Sequence, residues 1–251
     1  KVKRKLNTKD CRILFLYPNE RGMSTIPPSI TALSQILKDE GHQTALFDTT
    51  FYKFDDEILV EDSESIKGQS LEHRPVLERD DDDIHFKKTT RSAVLDFETS
   101  IENFKPDFIA VSCTETTFLR AIKLIDQTRH KNIKNLFGGV FPTFAPDLVM
   151  NYKNVDMVCV GEGENAIIDL ANSISNNEDY SNVTNLWIRQ NDGTITKNSI
   201  SRPVNINEIP PVTDIALFGE KRFYRPMGGK IYKMFPVETI RGCPYTCKFC
   251  N

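Results

Sequence analysis

Three cysteines sit close together near the end of the sequence, in Cys243-Pro-Tyr-Thr-Cys247-Lys-Phe-Cys250-Asn251. A thiolate is a soft, anionic ligand, and cysteines four and three residues apart can all reach one metal centre. Their number is informative. A structural zinc site is usually closed by four protein ligands. A [4Fe–4S] cluster held by only three cysteines keeps one iron open for a ligand that is not protein. A zinc knuckle is the rival reading of the same residues.

A loop of this kind needs a rigid element to carry it. Phe235-Pro-Val-Glu-Thr-Ile240 reads as a strand leading into the cysteines, and Arg241-Gly242 as its exit. Upstream, apolar runs alternate with helical periods. Arg12-Ile-Leu-Phe-Leu-Tyr17 is the continuous apolar run of a strand buried on both faces. Pro28 opens a helix, with Ile30, Leu33 and Leu37 on one face and Gly41 as its stop. Short strands are expected at 44–47, 107–112, 135–137 and 156–160. Helices are expected from Ala93, around Phe118 to Ile125, and around Ile167 to Ile174. Strands alternating with helices imply right-handed crossovers and a doubly wound, flavodoxin- or Rossmann-like sheet of five parallel strands. Asn191-Asp192-Gly193, between two short strands, predicts a hairpin.

The expected organisation is an α/β domain over 11–178, with a charged insertion at 51–90 that contains Asp80-Asp-Asp-Asp83. A hairpin and proline-rich linker follow over 179–230, and a new domain begins at 231–251.

Composition narrows the function classes. The 251 residues are 39% hydrophobic and 27% charged, with a net charge of −3. That balance suits a globular protein and predicts no general attraction to nucleic acid or anionic lipid. The apolar run at 13–17 is too short for a signal-peptide core or a membrane span. Cys11, Cys113 and Cys159 lie in or beside apolar strands, which predicts reduced thiols and a cytoplasmic protein.

In an open parallel sheet, ligands bind beyond the carboxyl ends of the strands. Here those ends carry Asn19-Glu-Arg-Gly22, Ser112-Cys-Thr114, Gly138-Gly139-Val-Phe-Pro142 and Gly161-Glu-Gly-Glu164. All are small or polar, so ligand and backbone can come close. Any one of them could be just a tight turn. The set, followed by the cysteines, favours a ligand.

Cys243-x-x-x-Cys247-x-Phe-Cys250 resembles the cluster motif of radical S-adenosylmethionine (SAM) enzymes, which follows the first strand of a (β/α) barrel. Val111-Ser-x-Thr114, the Gly-Gly-x-x-Pro at 138–142 and the Gly-Glu-Gly-Glu at 161–164 resemble cobalamin (B12)-binding domains, as does the unit from Ile26 to Asp48. Together they resemble the B12-dependent radical SAM methylases.

The resemblance implies that Cys243, Cys247 and Cys250 hold a [4Fe–4S] cluster whose fourth iron chelates SAM, with Phe249 near the adenine. It implies cobalamin contacts at Asn19, Ser112, Thr114, Gly138, Gly139, Pro142, Gly161, Glu162 and Gly163, the nucleotide tail being buried between strands. Many B12 domains carry a cobalt-ligating histidine in Asp-x-His-x-x-Gly after the first strand. Asn19 and Glu20 occupy that region here, so a base-off cofactor without a protein histidine is expected; His85 reads as a surface residue.

The implied chemistry is cleavage of SAM to a 5′-deoxyadenosyl radical, hydrogen abstraction, and methyl transfer from methylcobalamin to an unactivated carbon. The implied partners are a small-molecule or natural-product-type substrate and an electron donor such as flavodoxin or ferredoxin. Rival readings are a radical SAM enzyme of other outcome, including a methylthiotransferase or one with a scaffold domain that binds no cobalamin, and a non-catalytic B12 or zinc module. The opening on Lys1 and the end at Asn251 predict an inactive fragment of a longer protein, with the barrel truncated.

Overall fold

The computed structural model describes residues 10–19, 26–54, 88–209, 214–227, 230–237, 242 and 245–248. Five strands run parallel: β1 (Arg12–Tyr17), β2 (Gln43–Asp48), β3 (Phe108–Ser112), β4 (Lys134–Gly138) and β5 (Met157–Cys159). The sheet does not stop at five. The hairpin strands β6 (Leu186–Arg189) and β7 (Ile195–Lys197) add antiparallel to its edge, giving the order β2-β1-β3-β4-β5-β6-β7. The five-stranded expectation is therefore corrected to seven. Leu186 and Ile188 alternate inward, and the open edge of β5 offers backbone partners that the hairpin takes.

Helices cover both faces. α1 (Pro28–Asp39) and α6 (Glu164–Asn176) lie on one side, packing Ile30, Leu37, Ile167 and Leu170 against Ile13, Phe15, Phe108 and Leu136. α2 (Ala93–Phe104), α3 (Glu115–Gln127) and α5 (Pro146–Met150) lie on the other, around Phe97, Phe118, Phe137 and Met150. The short helix α4 (Val140–Phe144) precedes α5, and Pro146 breaks the two apart because its ring cannot continue the backbone bonding. No described helix is long and apolar enough to cross a membrane.

The stretch expected as a linker is fastened to this domain. Phe218 and Phe223 are buried in the α1/α6 layer. Asp214 accepts hydrogen bonds from Ser34 Oγ at 2.5 Å and Lys38 Nζ at 2.7 Å. Arg222, 2% exposed, pairs through Nε with Asp48 at 2.8 Å. A two-stranded ribbon follows, β8 (Tyr224–Met227) with β9 (Lys230–Lys233). Residues 234–237, where the cluster-bearing strand was expected to begin, belong to no strand, and 238–241 lie outside the described residues. Most of the acidic insertion, 55–87 with His85, also lies outside them; its two ends meet in a bridge between Tyr52 and Thr89.

The amino-terminal edge of the sheet is locked by carboxylates. Buried Asp156 accepts from Asn135 N at 3.1 Å, Asn135 Nδ2 at 2.9 Å, Arg129 Nη1 at 3.1 Å and Lys134 Nζ at 3.1 Å. Removing it strands buried donors, each costing about 1–3 kcal/mol. Asp156→Ala is expected to lower unfolding stability by roughly 3 kcal/mol, seen as a lower urea midpoint at unchanged slope.

Candidate functional site

The carboxyl ends of β3, β4 and β5 open into a cavity of about 570 Å³. It lies between the sheet and the α1/α6 layer. Phe15, Ala110, Leu136 and Cys159 form one wall, from four adjacent strands, and Ile30, Leu33 and Ile167 form the other, from the two helices. Ser112, Gly138, Gly139, Gly161, Glu162 and Gly163 line the mouth, together with Val140 and Phe144 of α4. Val140 is 63% exposed and Phe144 61%, an apolar rim beside the opening.

The glycines are not equivalent. Gly139 has φ +107°, and a Cβ there would lie 2.6 Å from the Cys113 carbonyl oxygen, so the backbone itself demands glycine. Gly138 and Gly163 have no positive φ. A Cβ on either would meet nothing closer than 3.9 Å and 3.8 Å respectively. Packing within the protein does not explain their lack of a side chain. What a side chain there would fill is the cavity, so the two residues form a cradle suited to a bound group.

Ser112, Gly138, Gly139, Gly161, Glu162 and Gly163 thus meet at one opening. Three other expected contacts lie elsewhere. Asn19 is 3% exposed; its side chain donates to Thr50 Oγ1 at 2.9 Å, and its carbonyl accepts from Thr49 Oγ1 and Arg120 Nη1. Thr114 caps α3, its N–H donating to Thr117 Oγ1 at 3.0 Å. Pro142 is buried in α4. The Glu162 carboxylate, although at the mouth, accepts from Val204 N at 2.5 Å and so ties down the segment after the hairpin. Sequence reasoning missed Ser29, Leu33 and Ile167, because helix residues give no sign that a gap faces them.

The buried thiols are not poised as ligands. Burial pushes Cys113 up to about 12; burial, aided by the Glu164 carboxylate, does the same to Cys159. Cys11 lies at the opposite edge of the sheet, its N–H donating to His42 Nδ1 at 3.2 Å. Among the described residues no three His, Cys, Asp or Glu side chains gather to hold a metal. Of the terminal motif, Cys247 is described and exposed; Cys243, Phe249 and Cys250 lie outside the described residues. Gly242, directly before Cys243, lines the mouth of the cavity. Among the described lining residues there is no histidine.

The family described as B12 binding domain matches residues 76–171. The cobalamin-dependent radical SAM methyltransferase TokK of Streptomyces tokunonensis is 29% identical over 59% of this chain and 22% of its own length. An anaerobic magnesium-protoporphyrin IX monomethyl ester cyclase from Synechocystis is 24% identical over 96% of this chain and 42% of its own. The chain therefore spans less than half the length of these relatives. Among solved structures, the cobalamin-dependent SAM radical enzyme OxsB, with aqua-cobalamin and SAM bound, superposes with a TM-score of 0.58 at 16% identity. The match covers 82% of this chain and 25% of that one, a likeness of fold.

Two measurements probe this edge. Gly139→Ala is expected to cost on the order of 1–3 kcal/mol, whereas Gly138→Ala leaves the urea midpoint unchanged or raised. In the native protein at pH 8, iodoacetamide should label Cys247 while Cys113 and Cys159 react only after unfolding, which peptide mass mapping reads directly.

Proposed function

We propose that the chain is the cobalamin-binding portion of a radical SAM enzyme, a reading supported by the match of residues 76–171 to the B12 binding domain family and by cobalamin-dependent radical SAM methyltransferases among its relatives. The observation that carries the proposal is the meeting of two features at one mouth. The glycine-lined cavity opens there, and Gly242, which directly precedes Cys243 in the sequence, is among the residues that line it. The cavity is amphipathic, apolar in its depth and polar at its mouth. Those properties fit the nucleotide tail of a corrinoid, with the base inserted and the ribose phosphate outside. Ser112, Gly138 and Gly163 would leave room for it, and the first turns of α1 and α6 would present backbone N–H groups toward its phosphate.

Cys243, Cys247 and Cys250 supply three thiolates, the donor set of a [4Fe–4S] cluster with one open iron. With both groups in place, the cluster supplies reductive cleavage of SAM and the cobalt supplies a methyl carrier. The base-off state without a protein histidine is part of the proposal. A small-molecule substrate and a one-electron donor such as flavodoxin or ferredoxin complete the system, and its setting is proposed to be the cytoplasm. A cyclisation outcome is the second reading, favoured by the 96% coverage of this chain in its match to the cyclase.

Purified protein mixed with hydroxocobalamin should retain a shifted corrinoid spectrum through gel filtration. Gly138→Val should weaken binding at least tenfold, a loss of about 1.4 kcal/mol, at an unchanged melting temperature. Equal affinity in the well-folded variant would sink the assignment of the cavity. Anaerobic reconstitution with iron and sulfide should give a brown chromophore that Cys247→Ala loses; a zinc site gives none.

A further inference from the structure

We infer that the cavity selects among corrinoids by their lower base, taking a benzimidazole-type base in preference to a purine, and that Leu33 is a specificity-determining residue on its helical wall. The inference rests on the assignment of the cavity to the nucleotide tail, and deepens it.

The depth and the mouth of the cavity differ in chemistry. In the depth, Phe15, Ala110 and Leu136 project from β1, β3 and β4, and Leu33 and Ile167 face them from α1 and α6. Ala110 is the small member of the strand wall, and leaves room where Phe15 and Leu136 flank it. Cys159 stands above this depth, level with Ser112 and Gly138 in the strand register. Its S–H is directed at the Glu162 carbonyl, 3.9 Å away, and a thiol is at best a weak acceptor. The hydroxyl and carboxylate groups that line the cavity, Ser29, Ser112, Glu162 and Glu164, sit in the first turns of α1 and α6 or at the strand ends. Those positions are at the mouth.

A purine such as adenine carries an exocyclic amine and ring nitrogens on its outer edge. Inserted into this depth, they lose water and find no matching partner among the described residues. A dimethylbenzimidazole presents methyl groups on that edge and gains by burying them. Discrimination by an apolar pocket is moderate, on the order of 10–100-fold. A glutamine at position 33 places an amide where the purine edge would lie. The position tolerates it, since Leu33 is only partly buried and glutamine is a good helix former.

The test is equilibrium binding of three corrinoids, followed by visible absorption: hydroxocobalamin, its adenine-based counterpart, and cobinamide, which has no nucleotide tail. Hydroxocobalamin should bind about 10–100-fold more tightly than the adenine form, with cobinamide weakest. Leu33→Gln should narrow the ratio of the two complete corrinoids at least threefold, with its fold checked by circular dichroism. Equal affinity for the two complete corrinoids, both tighter than cobinamide, overturns base selection while leaving the tail in the cavity. Cobinamide binding as tightly as hydroxocobalamin overturns the tail assignment itself. An unchanged ratio in a folded Leu33→Gln protein removes the role given to Leu33.

Discussion

Between the ends of β3 and β4 the backbones approach without side chains between them. The Cys113 N–H donates to the Gly138 carbonyl at 3.1 Å, and Gly139 turns away at φ +107° with its α-carbon against the Cys113 carbonyl. Only glycine fits there, and the contact holds the two turns at one height. Ser112 sits opposite Gly138 in the strand register. The mouth of the cavity follows from this arrangement, because neither strand end can put a large side chain across it. Most other features of the site are consequences of parallel strands delivering such turns to one edge.

The two edges of the sheet are built on opposite principles. At the amino edge, Asp107 accepts from the Arg12 N–H at 2.7 Å, and Asp156 gathers Asn135, Arg129 and Lys134. These buried carboxylates are multiply bonded, which is the condition for burying charge without a large net cost. At the carboxyl edge, the ends of β3, β4 and β5 carry small residues and an unfilled volume. Stability is thus concentrated where no ligand is expected. The edge left under-packed is the one that a bound group can complete, consistent with the usual tension between a prepared site and a tightly filled core.

The strand and helix alternation was legible in the sequence because each element carries its own period: continuous apolar runs for β1 and β3, helical spacing for α1 and α6. The strand-end glycines were legible for the same local reason. What failed to show was tertiary. Asn19 stands away from the cavity, bonded to Thr49, Thr50 and Arg120. The hairpin was visible from Asn191-Asp192-Gly193, but not its attachment to β5, since alternation names a buried face and not a neighbour. Phe218 and Phe223 were hidden among prolines with no helical or strand period, and only their burial in the α1/α6 layer reveals them as core. Leu33 reads as an ordinary apolar helix residue; that it borders a gap is a property of the wall opposite.

Three polar contacts are among those that hold the segment after the hairpin to the domain. Val204 N–H donates to Glu162, Asp214 binds Ser34 and Lys38, and Arg222 pairs with Asp48. The last is the informative one. A guanidinium only 2% exposed has lost most of its hydration, and such a pair repays that loss only when its geometry is well fixed. Its contribution is more to position than to stability. Asp48 ends β2, and the Arg222 guanidinium carbon lies 5.8 Å from the Tyr17 ring at the end of β1. Met234 N–H then bonds the Phe223 carbonyl at 2.7 Å, and Phe235 packs on Phe223 with ring centroids 4.9 Å apart. From there few residues separate the anchored segment from Gly242 at the mouth of the cavity. On the proposed function, two cofactors must act on one substrate, and misplacement by an ångström is enough to slow such chemistry severely. A docked segment in place of a free tether is the feature that such a demand requires.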